Sequence, residues 1–109
     1  MTGKILGKIS SVQFGFIPDM PFLFGLDLTF SLGDGSGIGT GGKYTVNISE
    51  ECRWSTRERE EGITEMVDEI AQILRDAKVS NVTQLKNVPV EVTIEGSTFK
   101  DFRILSEVL

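Results

Sequence analysis

The sequence predicts an α+β domain: an antiparallel sheet of about five strands in the order βββαββ, with one long amphipathic helix packed on one face. Three observations carry this. From Phe22 to Leu32 every even position is apolar (Phe22, Phe24, Leu26, Leu28, Phe30, Leu32), and Gly25, Asp27, Thr29 and Ser31 fall between, a period of two that marks a long half-buried strand. After Ser55 the period changes to that of a helix. The whole chain of 109 residues is 39% apolar and 25% charged, which reads as a single domain over 1–109, large enough to bury roughly 65% of its unfolded surface without disulfides or a structural metal.

The elements follow in order. Lys4 to Phe16 is strand-like, but its apolar set switches from odd positions (Ile5, Ile9) to even ones (Val12, Phe14, Phe16), which predicts a β-bulge near Ser10-Ser11. The two prolines of Ile17-Pro18-Asp19-Met20-Pro21 predict a turn, so the first two strands form an antiparallel hairpin. Gly33 to Gly42 holds six glycines in ten residues and reads as a mobile hairpin loop. Tyr44, Val46 and Ile48 alternate with polar residues to give a third strand. Ser55 and Glu58 fit a capping box, with Trp54 before them as a hydrophobic staple toward Arg59 or Ile63. Ile63, Met66, Val67, Ile70, Ile73, Leu74 and Ala77 then recur at helical spacing, and Ile63, Met66, Val67, Ile70 and Leu74 are expected in the core. Ser80 to Lys86 reads as a short helical turn. Val88 to Ile94 and Phe99 to Leu105 are the last two strands, joined by a tight turn at Glu95-Gly96-Ser97-Thr98, and the mixed parity of the fifth predicts a bulge or twist.

Charge divides unevenly along the chain. Residues 1–49 hold three acids and three bases, residues 77–109 four of each, so the whole net charge of −5 lies in residues 50–76. With an acidic centre and no basic run, the chain has no electrostatic footprint for duplex nucleic acid or an anionic membrane. No apolar run is long enough to span a bilayer and the first residues lead straight into a strand, so the expected location is cytoplasmic. The absence of His removes Ser-His and Cys-His nucleophiles and His-based metal sites. No general base near neutral pKa is left without a strongly perturbed Glu or Lys, so the chain is expected to be no enzyme and to need no cofactor.

The glycine-rich tract contains two formal motif matches. Gly37 to Gly42 satisfies G-x-G-x-x-G, and Gly37 to Lys43 satisfies the first seven positions of a P-loop. Both lack their context, because a phosphate loop runs into a helix and Lys43-Tyr44-Thr45-Val46 is a strand; the eighth position is Tyr44 rather than Ser or Thr. A weaker role remains open. Glycines let backbone amides approach a ligand, and Asp34, Ser36, Gly37, Gly39, Thr40 and Lys43, with Arg53 and the ring of Trp54, form a candidate site for a small phosphate-bearing ligand. Arg103 and Arg53, the arginines outside the helix, are placed to pair with carboxylates or to reach a ligand phosphate. Cys52, between Glu51 and Arg53 and near Glu50, reads as a small packing residue.

The helical carboxylates read first as a solvated face, with Arg57 and Glu61 at i, i+4 spacing. They also offer a second candidate surface. Glu61, Glu65 and Asp68 lie along one ridge and could occupy a protein site that normally receives nucleic-acid phosphates.

The Phe14-Gly15 and Phe24-Gly25-Leu26 pairs, the glycine-rich tract, the Cys52-Arg53-Trp54-Ser55 junction and the ending from Pro89-Val90-Glu91-Val92 to Phe102-Arg103-Ile104-Leu105 resemble a family of small proteins encoded by phages and prophages. The resemblance implies a phage accessory protein acting in a bacterial cytoplasm, in a class where counter-defence proteins are common; it carries over no catalytic residues. The function expected is sequestration of a small phosphate-bearing signalling nucleotide. The alternatives are inhibition of a host defence nuclease or effector through the acidic helix, and a structural virion or assembly role. A homodimer is also expected, because the long apolar strand from Phe22 to Leu32 is an aggregation hazard if its edge is bare.

Overall fold

The computed structural model describes residues 2–49 and 55–109. Six strands and one long helix are present there: β1 (Gly3–Ile17), β2 (Met20–Leu32), β3 (Gly37–Gly39), β4 (Tyr44–Asn47), α1 (Thr56–Ala77), β5 (Pro89–Glu95) and β6 (Thr98–Ile104). A 3-10 turn at Val82–Leu85 follows the helix, and a second at Ser106–Val108 ends the chain. Every pairing is antiparallel, in the order β3-β2-β1-β5-β6, with β4 also on β2.

The sixth strand is β3. Three residues of the glycine-rich tract pair with Thr29–Ser31 of β2, and β4 pairs with Leu23–Leu26 farther along the same side. Strand β2 is therefore flanked on both sides, by β1 and by β3 with β4. The edge of Phe22–Leu32 away from β1 is therefore not bare, because the two short strands cover it.

The parity switch in β1 is a register shift between Ile9 and Ser11 in its pairing with β2. It lets Ile9 lie opposite Phe30 before the bulge and Val12, Phe14 and Phe16 lie opposite Leu28, Leu26 and Phe24 after it, so one face stays apolar throughout. A second shift, between Thr93 and Ile94, answers to the mixed parity of β6. Gly96 turns the chain between β5 and β6 with φ +69°, a conformation that favours glycine.

The sheet is rolled until its two ends nearly meet. The Lys43 ammonium at the start of β4 donates to the Lys100 carbonyl of β6 at 2.8 Å, and the Phe102 ring of β6 lies 6.0 Å from Tyr44 and 4.9 Å from Phe30. Sheet twist makes this approach natural. Ile9, Leu26, Leu28, Phe30, Leu85, Val90 and Val92 fill the inside and are fully buried.

Helix α1 closes the open side, packing mainly on β4 and touching β6. Its start is the expected capping box: Glu58 N–H donates to Ser55 Oγ and Ser55 N–H to Glu58 Oε2, each at 3.1 Å. Its end is Lys78, whose φ of 59° lets its N–H reach the Arg75 carbonyl. Met66, Ile73 and Ala77 are buried, and Ile70 and Leu74 partly so. The expected core face is corrected at two positions, since Ile63 is 37% and Val67 54% exposed. A four-residue strand is a narrower seat than an open sheet, so the stripe Met66-Ile70-Ile73-Ala77, with Leu74 at its edge, is covered and Ile63 and Val67 are not. At Gly25 both β4 and the helix come close to β2: a Cβ there would collide with the backbone of Tyr44 and Thr45 and meet Met66 Sδ.

Candidate functional site

The glycine-rich tract is built into the sheet at both ends. Leu32 N–H donates to the Ser36 carbonyl and Gly33 N–H to the Leu6 carbonyl, both at 2.8 Å, which ties the connection between β2 and β3 to β1 as well. Thr40 continues the ladder beyond β3. Its N–H donates to the Leu28 carbonyl at 2.9 Å and its hydroxyl accepts from Leu28 N–H at 3.1 Å, so a side chain stands in for a strand carbonyl. Thr40 is 5% exposed and faces no opening. The reading of the tract as a mobile loop is thus corrected to a hairpin whose tip is Gly33–Ser36. Strand pairing restrains what composition alone leaves free.

At that tip lies a cleft of about 270 Å³ lined by Leu32, Asp34, Ser36, Gly37, Ile38, Ile94 and Ser97, between the tract and the β5–β6 turn. Asp34 Oδ1 accepts from both the backbone N–H and the hydroxyl of Ser36. These bonds hold the Asp34 carboxyl below its ordinary range, so an anion stands at the mouth.

Lys43 lies at the other end of the tract, outside the cleft lining. Besides the Lys100 carbonyl, its ammonium meets Asp101 Oδ1 at 3.4 Å and sits 5.6 Å from the Phe99 ring centre and 5.9 Å from that of Tyr44. It bridges the two ends of the rolled sheet. Burial, together with the nearby charges of Asp101 and Glu69, pushes the Tyr44 hydroxyl well above its ordinary pKa. Of the eight candidate ligand residues, the structure brings Asp34, Ser36 and Gly37 together. Gly39 lies on β3, Thr40 in the ladder and Lys43 in the bridge, while Arg53 and Trp54, and with them the staple and Cys52, lie outside the described residues. Arg103 pairs with Glu91 at 3.2 Å and Glu107 at 3.1 Å.

The second candidate surface is the outward side of α1. Glu61, Glu65 and Asp68 are exposed along one ridge, and of the three only Glu61 has an ion pair among the described residues, with Arg57 at 3.1 Å. Ile63 and Val67, one helical turn apart, lie on the flank next to the buried stripe of Met66 and Ile70, and Glu60 and Thr64 separate them from the ridge. The sequence hid this feature, because the same two residues fit the helical core period.

No family model, curated protein or solved structure matches the chain. Among the described residues no helix is long and apolar enough to cross a membrane, and no group of three or more Cys, Asp or Glu side chains is gathered to hold a metal ion.

Proposed function

We propose that this is a non-enzymatic binding protein, a phage accessory protein of the bacterial cytoplasm that blocks a host defence nuclease or effector through the outward side of α1. The observation that carries the reading is the exposed Glu61-Glu65-Asp68 ridge on the outward side of α1, of which only Glu61 has an ion pair among the described residues, with the exposed Ile63 and Val67 on another flank of the same helix. The carboxylates select a basic partner and speed its approach, and the apolar pair adds desolvated contact to a partner that wraps the helix. The test is protection of phage in cells carrying the defence. Glu61→Lys with Glu65→Lys and Asp68→Lys should abolish protection, Val67→Ser should weaken it, and association with the partner should slow as salt rises. Protection by the triple variant equal to that of the natural protein overturns the reading.

A second reading, sequestration of a small phosphate-bearing nucleotide, has the cleft at the tip of the tract in its favour. At about 270 Å³ it lies just below the range of roughly 300–1,000 Å³ typical of drug-sized ligands. It therefore suits one phosphate or sugar unit with the remainder outside. The ionised Asp34 opposes an anion there, and Lys43 must leave its bridge to help, which is why this reading stands second. A thermal shift with nucleotide second messengers that is lost in Gly37→Val would restore it to first place. A virion or assembly role stands behind both, and is favoured if neither set of variants has an effect. The form proposed for each reading is a homodimer.

A further inference from the structure

The cleft at the tip of the glycine-rich tract has two unlike surfaces. Its inner part is aliphatic: Leu32 of β2 and Ile94 of β5 are buried, and Ile38 of β3 is half-buried. Its rim is polar, with Asp34 and Ser36 on one wall and Ser97 of the β5–β6 turn on the other. Asp34 is the one charged residue of the lining, and it forms no ion pair among the described residues. Glu95 and Lys100, which flank the opposite turn, pair with each other at 2.9 Å, so that lysine does not neutralise Asp34. Both bonds from Ser36 go to Asp34 Oδ1, which leaves Oδ2 as an acceptor. Ser36 Oγ, having given its proton to Asp34, keeps its lone pairs for an incoming donor.

We infer that this cleft binds a primary alkylammonium group, with the ammonium on Asp34 Oδ2 and the aliphatic stem on Leu32, Ile38 and Ile94. An unpaired carboxylate selects a cation, and the bond it accepts from an ammonium is charge-assisted. The cation is organic rather than metallic. A hard metal ion wants a shell of several oxygens, and among the described residues no group of three or more Cys, Asp or Glu side chains is gathered here or elsewhere. An ammonium also fits better than a guanidinium. The planar fork of a guanidinium seeks two parallel acceptors, and Oδ1 is already engaged by Ser36. The three donors of an ammonium can instead diverge, one to Oδ2 and another to Ser36 Oγ. At about 270 Å³ the cleft holds a short unbranched stem. A free alkylamine and a lysine side chain present this same group. The inference stands apart from the α1 reading, and the charge it uses is the one that opposes a phosphate in the second reading.

The experiment is a titration of the isotopically labelled natural chain at low salt, read from its amide chemical shifts. Butylammonium should move the amides of Ser36, Gly37 and Ser97 and saturate at about millimolar concentration. Methylammonium should bind more weakly, by about fourfold for each methylene that reaches the aliphatic surface, and butyrate should move none of the three. Asp34→Asn keeps an oxygen for the Ser36 N–H and hydroxyl, so the turn persists and only the charge is lost. It should weaken butylammonium about tenfold or more. Ile38→Ser should weaken butylammonium and leave methylammonium unchanged. Nα-acetyl-lysine methylamide separates the two sources: binding equal to that of butylammonium assigns the cleft to lysine side chains, and binding at least tenfold weaker assigns it to free amines. Failure of butylammonium to saturate, an equal response to butyrate, or unchanged binding in Asp34→Asn overturns the inference. None of these results bears on the α1 reading.

Discussion

Phe22 and Phe30 lie on the same strand and the same face, yet one is 45% exposed and the other fully buried. What separates them is the second layer. Phe30 sits where the sheet is widest, and across the roll it meets Phe99 at 5.7 Å and Phe102 at 4.9 Å from β6. Phe22 lies near the far end of the β1–β2 hairpin, beyond the last residue of β1 that β5 reaches. There the apolar face has Phe14, Phe16 and Phe24 packed edge-on to one another, at 5.3 Å for each contact with Phe24, with less of the fold above it. A period of two thus announces a face but not its cover. The cover depends on strands 60 or more residues away.

This contrast is open to direct attack. The largest effect is expected at the covered end: Phe30→Ala should cost about 3–5 kcal/mol, read as a shift in the denaturant midpoint, and a loss below about 1 kcal/mol would mean that the roll collapses around the gap. Next comes Thr40→Val, which keeps the shape but leaves Leu28 N–H buried without an acceptor. It should cost about 1–3 kcal/mol and speed exchange of the Leu28 amide. At the join of the rolled sheet, Tyr44 provides a pH test. Its folded pKa is raised above the unfolded value, so the stability it contributes is fully present below pH ~10 and falls as pH rises further. Alkaline titration should then show tyrosinate appearing together with unfolding rather than before it. The smallest effect is expected at the open end, where Phe22→Ala should cost about 1 kcal/mol or less. An equal loss at Phe22 and Phe30 would erase the distinction between the two ends.

Local chemistry was the part of this fold most plainly written in the sequence. The Ser55–Glu58 capping box, the alternation of β2 and the bulge after Ile9 involve residues within a few positions of each other, and all three are present. Strand β3 was hidden because glycine has little preference for strands, and Gly37–Gly39 becomes one only against Thr29–Ser31. The Lys43 bridge was hidden for a similar reason, as its acceptor is the Lys100 carbonyl on another strand. Helical period locates α1 but does not choose between neighbouring stripes, which is why it puts Ile63 and Val67 inside although both are exposed. Of the candidate ligand site, Asp34, Ser36 and Gly37 are close in the chain and come together through a tight turn, whereas the remaining described members are drawn apart by strand pairing.

Strand β1 also sets a timetable. Its first half, Gly3–Lys8, is held by β5 from residues 89–95, and from Gly7 onward the strand is held by β2 from residues 20–32. Hairpin closure with β2 is local and fast, while docking of β5 must wait for a chain segment some eighty residues downstream. A chain emerging from the ribosome in order therefore carries the Gly3–Lys8 edge unpaired until β5 appears. Lys4 and Lys8 lie on that edge and the following stretch to Pro18 has no charge at all. During synthesis the two lysines act as gatekeepers for the half of β1 that β5 later covers. The half beyond the bulge has none, so it is the part of a nascent chain most open to premature pairing with its neighbours.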